Sequence, residues 1–385
     1  MTTVAGVAPG RVVDVASIDE VQAVVRAGGA LVATGRGAHL DVGAPPRRMD
    51  TLLRVGGLAR VVAHEAHDMT VTALAGCPLD ALARTLDAAG QWLPLDPPAF
   101  ADTTIGGLVA ANLAGPLRAS QGTVRDLLIG ITVVGADGAL VRGGGRVVKN
   151  VAGYDLPKLH VGALGTLGIV VEATFKVRPR PEREAAVVLR TSTPGEIALA
   201  VRDTFDPLWL EAGTLADGPG VAVGIGGIAP EIDAARRTLE SLARARGVEL
   251  RWIDDGAALR RDLADFAIAP AAAVLRASVL PADIPWAMAR VAALAGAVPV
   301  LAHVANGVVR ARLDDAPTVA RAVERLRPEI ESRGGFLVVE RARPEVKAGI
   351  DLWGHPGEGL ALMRGVKAAL DPSGIFAPGR FVGGI

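Results

Sequence analysis

The 385-residue chain has one cysteine, Cys77, and one tyrosine, Tyr154, and only 3% of it is aromatic. A lone cysteine excludes an internal disulfide framework and any zinc or iron–sulfur centre built on cysteines, so a reducing compartment is the simplest fit. Neither sign of charge is in excess, with 41 Lys and Arg against 41 Asp and Glu. That balance removes the general pull toward nucleic acid or an anionic membrane. The opening MTTVAGVAPGRVVDV lacks the basic start and long apolar core of a secretion signal, which predicts a cytoplasmic chain. The uncharged run from Val291 to Val309 is broken by Pro299, His303, Asn306 and Gly307. It predicts a buried helix followed by strands in place of a membrane span, and leaves open peripheral docking on the inner face of a membrane through partners.

What the chain does have is apolar bulk. Half of it is hydrophobic and 21% is charged, which suits a well-buried protein of two or three domains. Ser17 and Glu20 form a capping-box pattern ahead of VQAVVRAGG, with Gly28 at the expected helix end. RVVDV before it and ALVATG after it read as strands, so residues 11 to 34 form a strand, helix, strand unit. RVVAH and MTVTALAG read as further strands, and Pro78 opens a helix that ends at Gly90. ITVVGADGALVRGG predicts a hairpin turning at Asp137 and Gly138, and GIVVEATFKV a long alternating strand. The charged, proline-rich RPRPE at 178 to 182 marks a boundary. Beyond it, strands alternate with amphipathic helices such as PEIDAARRTLESLARARG and APTVARAVERLRPEIESRGG. About two strand, helix, strand sets fit there, predicting one antiparallel sheet with helices on one face.

The chemistry concentrates between Ala101 and Val170, where glycines sit beside small and β-branched residues and let backbone approach a large flat ligand. The earlier loop of Gly35, Arg36, Gly37, Ala38 and His39 follows a strand and can cradle a dinucleotide pyrophosphate on successive N–H groups. Thr103, Thr104, Gly106 and Gly107 offer hydroxyls and open amides at a helix start. Neither loop matches G-x-G-x-x-G or G-x-x-x-x-G-K-[ST], which disfavours Rossmann and P-loop folds. No serine stands in G-x-S-x-G, so hydrolase chemistry has no support.

The loop TGRGAHLDVG, the run PLDPPAFADTTIGGLVAANLAGP, the block GTVRDLLIGITVVGADG and the stretch KNVAGYDLPKLHVGALGTLGIVVEATFKV together resemble the FAD-binding domain of the vanillyl-alcohol oxidase, or PCMH, type. Within that family the chain is most similar to the FAD-binding subunits of bacterial glycolate oxidases, and the ending DLWGHPGEGLALMRGVKAALDPSGIFAPGRFVGGI extends the likeness to the C-terminus. The resemblance implies an α+β fold. It places a PCMH-type FAD-binding domain of two α/β subdomains at 1–181, an antiparallel-sheet cap domain at 182–343, and a C-terminal segment returning toward the flavin at 344–385. It further implies that residues 35 to 39 bind the FAD pyrophosphate, and that Thr103, Gly106, Gly107, Ala111, Asn112, Gly115 and Gly122 line the cofactor. Gly168, Ile169 and Val170 pass beside it, and Pro378, Gly379 and Arg380 return to it. Some relatives attach FAD through a first-loop histidine; here Gly37-Ala38 replaces the usual pair of glycines before His39, and noncovalent FAD is expected.

Related 2-hydroxyacid dehydrogenases carry a metal-binding run H-x-G-D-G-N-x-H and, later, a glutamate followed by histidine. At the matching positions this chain has AHVANGVVR and VVERAR, so His303 and Glu340 stand at two ligand positions while Arg310 and Arg341 replace histidines. A protonated arginine cannot ligate a cation, so no metal is expected. Two readings stay open. Arg310 and Arg341 can clamp a carboxylate with His303 as proton acceptor beside Glu340, giving a metal-free catalytic site; or all four are structural or partner-facing charges. The resemblance implies a small 2-hydroxy acid substrate, with a homologous flavin subunit and an iron–sulfur subunit as partners. Its alternatives are a stand-alone FAD-dependent dehydrogenase of another hydroxy acid or alcohol, and a noncatalytic scaffold.

Other residues weigh less. His64 and His67 have no third ligand nearby; Cys77 and Tyr154 read first as packing residues, and His160 and His355 join no constellation.

Overall fold

The computed structural model describes residues 2–145 and 155–385, and its chain divides into two compact units. The first comprises 1–113, 123–180 and 355–385; the second comprises 114–122 and 181–354.

The first unit contains a parallel sheet in which Thr51–Arg54 lies between Arg11–Asp14 and Leu31–Thr34. The two outer strands and helix Ile18–Arg26 are the expected unit at 11 to 34. Ser17 caps the helix by accepting from the Glu20 amide at 3.3 Å, while the Glu20 carboxylate reaches back to the Ala16 amide at 2.7 Å. Val21 and Val25 are the buried stripe of that helix. The central strand escaped the sequence reading because a short parallel strand buried on both faces has no alternation to betray it. The outer edge at Leu31 is covered by the C-terminal tail, where the Leu31 amide donates to Ile375 O at 2.7 Å and the Ala377 amide to Leu31 O at 2.8 Å.

A five-stranded antiparallel sheet follows, in the order Val61–Glu65, Thr70–Leu74, Ile169–Lys176, Leu128–Val134, Leu140–Gly144. The hairpin turns at Asp137 and Gly138, with Gly138 at φ +75° and the Asp137 carboxylate accepting from the Ala139 amide. The central strand Ile169–Lys176 serves two cores. Ile169 and Val171 join Val21, Leu53 and Phe376, whereas Val170, Ala173 and Phe175 join Leu82, Ile105 and Leu108. Its first residues are thereby fixed where those two cores meet.

The second unit is built on one eight-stranded antiparallel sheet. Arg183–Arg190, Trp209–Leu215, Gly218–Gly227 and Glu249–Ile253, with helices Pro194–Arg202 and Ala229–Arg246, make one β-α-β-β-α-β set. Ala273–Ser278, Val300–His303, Val308–Leu313 and Phe336–Ala342, with helices Ile284–Ala295 and Ala316–Glu331, make another. The second strands of the two sets pair with each other, Glu211 opposite His303 and Gly213 opposite Leu301, and this seam closes the sheet. A Cβ on Gly213 would lie 2.1 Å from Val300 O, so the seam requires glycine there.

Two boundaries differ from the sequence reading. Residues 344–354 stay with the second unit, because the Val339 amide donates to Leu352 O at 2.8 Å and Arg327 Nη2 to Asp351 O at 2.8 Å. Residues 114–122 also leave the first unit, with the Ser120 hydroxyl donating to Leu208 O at 2.6 Å. Among the described residues no helix is long and apolar enough to cross a membrane.

Candidate FAD site

Strand Leu31–Thr34 ends in the loop Gly35–Leu40, whose turn depends on Gly37 at φ +88°. The N–H groups of Gly35, Arg36, Gly37 and Ala38 donate to no acceptor among the described residues. Four successive unspent amides on a left-handed turn form a nest for an anion. Gly35 is pressed against Thr104, since a Cβ on it would meet Thr104 Oγ1 at 2.2 Å. His39 Nε2 lies 2.8 Å from Thr103 Oγ1, and Arg36 Nη1 donates to Ala101 O at 3.0 Å. The nest is thus bound to the start of helix Ile105–Ala111.

At that helix start the structure corrects one expectation. The amides of Ile105 and Gly106 are spent on Cys77 O and Ala75 O, at 2.9 and 2.7 Å, and the Gly107 amide meets Thr104 Oγ1 at 3.4 Å. The open donors belong to the first loop, and the second loop supplies a surface. Gly106 has no room for a side chain because a Cβ would lie 2.9 Å from that of Ala75.

A cleft of about 810 Å³, counting solvent at its mouth, joins these pieces. Gly35 to His39, Thr103, Gly106, Gly107, Ala111, Gly168, Ile169, Val170 and Arg380 all line it. Asn112, Gly115 and Gly122 do not: Asn112 is the left-handed C-cap of helix Ile105–Ala111, and Gly115 and Gly122 fall in the segment grouped with the second unit. Thr104, His160 and Ala163 to Gly165 line the cleft as well. Of these, His160 had a sequence signal, a lone polar residue ahead of the apolar VGALGTLG. Tyr154 and most of KNVAGYDL lie outside the described residues.

Arg380 is 4% exposed and donates from Nη2 to Leu40 O at 3.0 Å and Val42 O at 2.5 Å. Burial lowers its pKa to about 10, with Asp41 opposing, so it stays cationic at neutral pH. The tail is fastened further back by Lys367, whose ammonium donates to Thr166 O, Asp371 Oδ2 and Phe376 O at 2.6, 2.6 and 2.9 Å.

The second unit holds the other candidate residues in one buried network. His303 Nδ1 lies 2.6 Å from Glu211 Oε1, and Arg310 Nη1 contacts His303 Nε2. Arg310 also donates from Nε and Nη2 to the two carboxylate oxygens of Glu340, at 2.7 and 3.2 Å. An arginine only donates, so His303 Nε2 accepts and Nδ1 carries the proton toward Glu211. Burial, and then Arg310, hold the His303 pKa well below its usual value. Burial alone would raise the Glu340 carboxyl, but Arg310, Arg276 and Arg341 outweigh it and bring it down to about 2. Val274 pairs with Arg341 and Leu275 with Val339, leaving Glu340 as the extra residue of a β-bulge. Such a bulge re-aims side chains, here bringing Glu340 within reach of Arg310.

His64 pairs with Gln91 Oε1 at 2.9 Å, and Cys77 is buried, its thiol pKa pushed up by burial and by Asp80. Among the described residues no group of three or more His, Cys, Asp or Glu side chains converges as a metal site.

Comparison with known proteins agrees with the cleft. Residues 9–144 match the FAD binding domain family, and 355–381 match the C-terminal domain of FAD linked oxidases. The chain is 44% identical over 122 residues to glycolate oxidase subunit GlcE of Escherichia coli, covering 31% of this chain and 35% of that protein. It is 35% identical over 158 residues to glycolate oxidase subunit GlcD of Bacillus subtilis, covering 41% and 34%. With D-2-hydroxyglutarate dehydrogenase of Xanthomonas citri the figures are 34% over 196 residues, 50% and 39%. The matches therefore span between 34% and 39% of the length of these relatives. Among solved structures, p-cresol methylhydroxylase superposes with a TM-score of 0.72 at 15% identity, over 97% of this chain and 88% of that one. An alkyldihydroxyacetonephosphate synthase does so with 0.72 at 17% identity, over 96% and 77%. The chain thus carries a match to the FAD binding domain and to the C-terminal domain of FAD linked oxidases, is similar in sequence to glycolate oxidase subunits over part of their length, and shares its fold with p-cresol methylhydroxylase.

Proposed function

We propose that this chain is the FAD-binding subunit of a glycolate oxidase-like complex, an oxidoreductase that converts glycolate or a related 2-hydroxy acid to the 2-oxo acid. The observation that carries the reading is the amide nest at Gly35 to Ala38, within the 9–144 match to the FAD binding domain. FAD supplies a hydride acceptor when bound. The chain's own residues hold it: the nest takes the pyrophosphate charge, Gly168 to Val170 lie alongside, and Arg380 keeps the loop closed. His39 Nε2 is engaged with Thr103, which supports noncovalent FAD in this reading.

In the catalytic form of this reading, Arg310 and Arg341 receive the substrate carboxylate while His303 takes the hydroxyl proton beside Glu340. One observation favours a second form. Arg310 commits Nε, Nη1 and Nη2 to His303 and Glu340, and the His303 lone pair is turned to Arg310. In that form these four residues are structural, substrate oxidation falls to a homologous flavin subunit, and this chain relays electrons toward an iron–sulfur subunit.

The test is anaerobic addition of glycolate to the purified, FAD-loaded chain with and without partner subunits. The expected result is bleaching of the flavin band only with partners. Bleaching of the chain alone would assign the oxidation to this chain, and a protein that takes up no FAD would overturn both forms.

A further inference from the structure

His160 is 8% exposed, yet its ring has no hydrogen-bond or ion-pair partner among the described residues. Buried polar groups are ordinarily satisfied, and the ring nitrogens of His160, which are not fully enclosed, are open to a partner from outside the described chain. The side chain lines the FAD cleft. A Cβ built on Gly168 would lie 3.5 Å from His160 Cε1, the carbon between the two ring nitrogens, so this edge of the imidazole is turned to Gly168 on the cleft wall.

The ends of helix Ile105–Ala111 locate this histidine relative to the nest. At the N-terminal end Thr103 and Thr104 touch the loop of Gly35 to His39. At the other end the carbonyls of Val109 and Ala110 accept from the amides of Gly162 and Leu164, both at 2.9 Å, just after His160. Seven helical residues rise about 10 Å. The cleft therefore has an anion-binding end and, one short helix away, an apolar end of Ala110, Ala163, Leu164 and Val170 in which His160 is the polar side chain. A dinucleotide has the same layout, charged at the pyrophosphate and flat and apolar at each ring system, with polar atoms confined to the ring edges.

We propose that His160 is a cofactor-binding residue, hydrogen-bonding an edge atom of one of the FAD ring systems at the apolar end of the cleft. Burial lowers its pKa to about 4, so at neutral pH the uncharged ring offers one donor and one acceptor, which suits a heteroaromatic edge. On its other side the ring borders a second cavity, about 990 Å³ when solvent at its mouth is counted as for the cleft, lined by Val133, Val141, Leu156 and Leu370 among others, which is the competing destination for its polar atoms. The inference rests on FAD occupancy and is independent of the glycolate reading.

The test titrates apoprotein with FAD and, separately, with ADP, for the wild type, H160F and H160Q, following flavin fluorescence and heat of binding. H160F is expected to bind FAD about tenfold more weakly, the size of one lost neutral hydrogen bond, with H160Q recovering part of the loss. An equal loss for ADP places the contact on the adenine; a loss for FAD alone, with a shifted flavin absorption band, places it on the isoalloxazine. Either result supports the proposal. For a readout independent of variant folding, the ring ¹⁵N resonances of His160 in labelled wild-type protein should move on addition of FAD. Unmoved resonances, or FAD affinity within twofold of wild type in folded H160F, would overturn the proposal and assign the ring to the second cavity. Failure of the wild type to take up FAD would overturn it together with the cofactor assignment.

Discussion

Arg310 and Glu340 meet although their strands are not neighbours. Strand Ala273–Ser278 lies between them, and the guanidinium reaches over it to put Nε 2.7 Å from Glu340 Oε2 while Nη1 contacts His303. The network ties both halves of the second sheet, through Glu211 and His303, to the bulge at Glu340.

Removing one partner of this network should cost far more than removing its charges together. R310M takes the bidentate partner from the Glu340 carboxylate, 7% exposed, leaving Arg276 at 3.6 Å as a weaker one, and is expected to destabilise the chain by about 3 kcal/mol in urea unfolding. R276M/R310M/E340M, which also removes the Arg276 cation 3.6 Å from Glu340, leaves none of these three charges alone and should recover most of that loss. A single variant as stable as wild type would show that the pair is not closed in solution.

The same pair sets an acid dependence. The Glu340 pKa falls from 4.5 to about 2 on folding, so its contribution is complete above pH 4.5 and is lost as pH drops toward 2. By linkage this amounts to about 3 kcal/mol. His303, whose pKa is also lowered, acts in the same direction, because the unfolded chain takes up its proton first as pH drops through 6.5. Stability measured against pH should therefore fall from mildly acidic pH downward, and E340Q should flatten the branch below pH 4.5.

Gly37 carries the nest at φ +88°, with nothing nearer a built Cβ than Leu40 Cδ1 at 3.7 Å. Space is available and only the backbone objects, at about 1–2 kcal/mol. G37V should remain folded yet bind FAD about tenfold more weakly by fluorescence titration, because a relaxed turn no longer aims its amides together.

Arg380 should matter to the cofactor through the loop it holds. R380M removes the charge-assisted bonds to Leu40 and Val42, worth about 1.5–3 kcal/mol each. The expected readouts are a lower apoprotein melting temperature and an FAD affinity reduced at least tenfold. Unchanged values for both would detach the C-terminal tail from cofactor binding.

Acid precipitation of the yellow protein should leave the flavin in the supernatant, since His39 is engaged with Thr103. Colour retained in the pellet, and lost in H39A, would make His39 the point of attachment.

Much of this was legible in the residues themselves, and the reason is that local rules governed those parts. The capped helix Ile18–Arg26, the hairpin at Asp137 and Gly138, the glycine turn at Gly35 to His39 and the return of Arg380 all rest on short-range chemistry or on motifs that resemble a known family. What the sequence determined by itself was therefore the class of fold, the flavin cofactor and most of the cleft wall. Tertiary structure decided the rest, because it depends on which distant atoms spend which hydrogen bonds. The helix-start amides of Ile105 and Gly106 looked open until Cys77 and Ala75 carbonyls were folded against them. Strand Thr51–Arg54 had no pattern of its own, and the doubled β-α-β-β-α-β plan has a period too long and too divergent to read as a repeat. Arg310 carried the same charge in either reading. Its closure on His303 and Glu340 goes with a β-bulge, and a bulge is a matter of register between strands, which no single strand's sequence encodes.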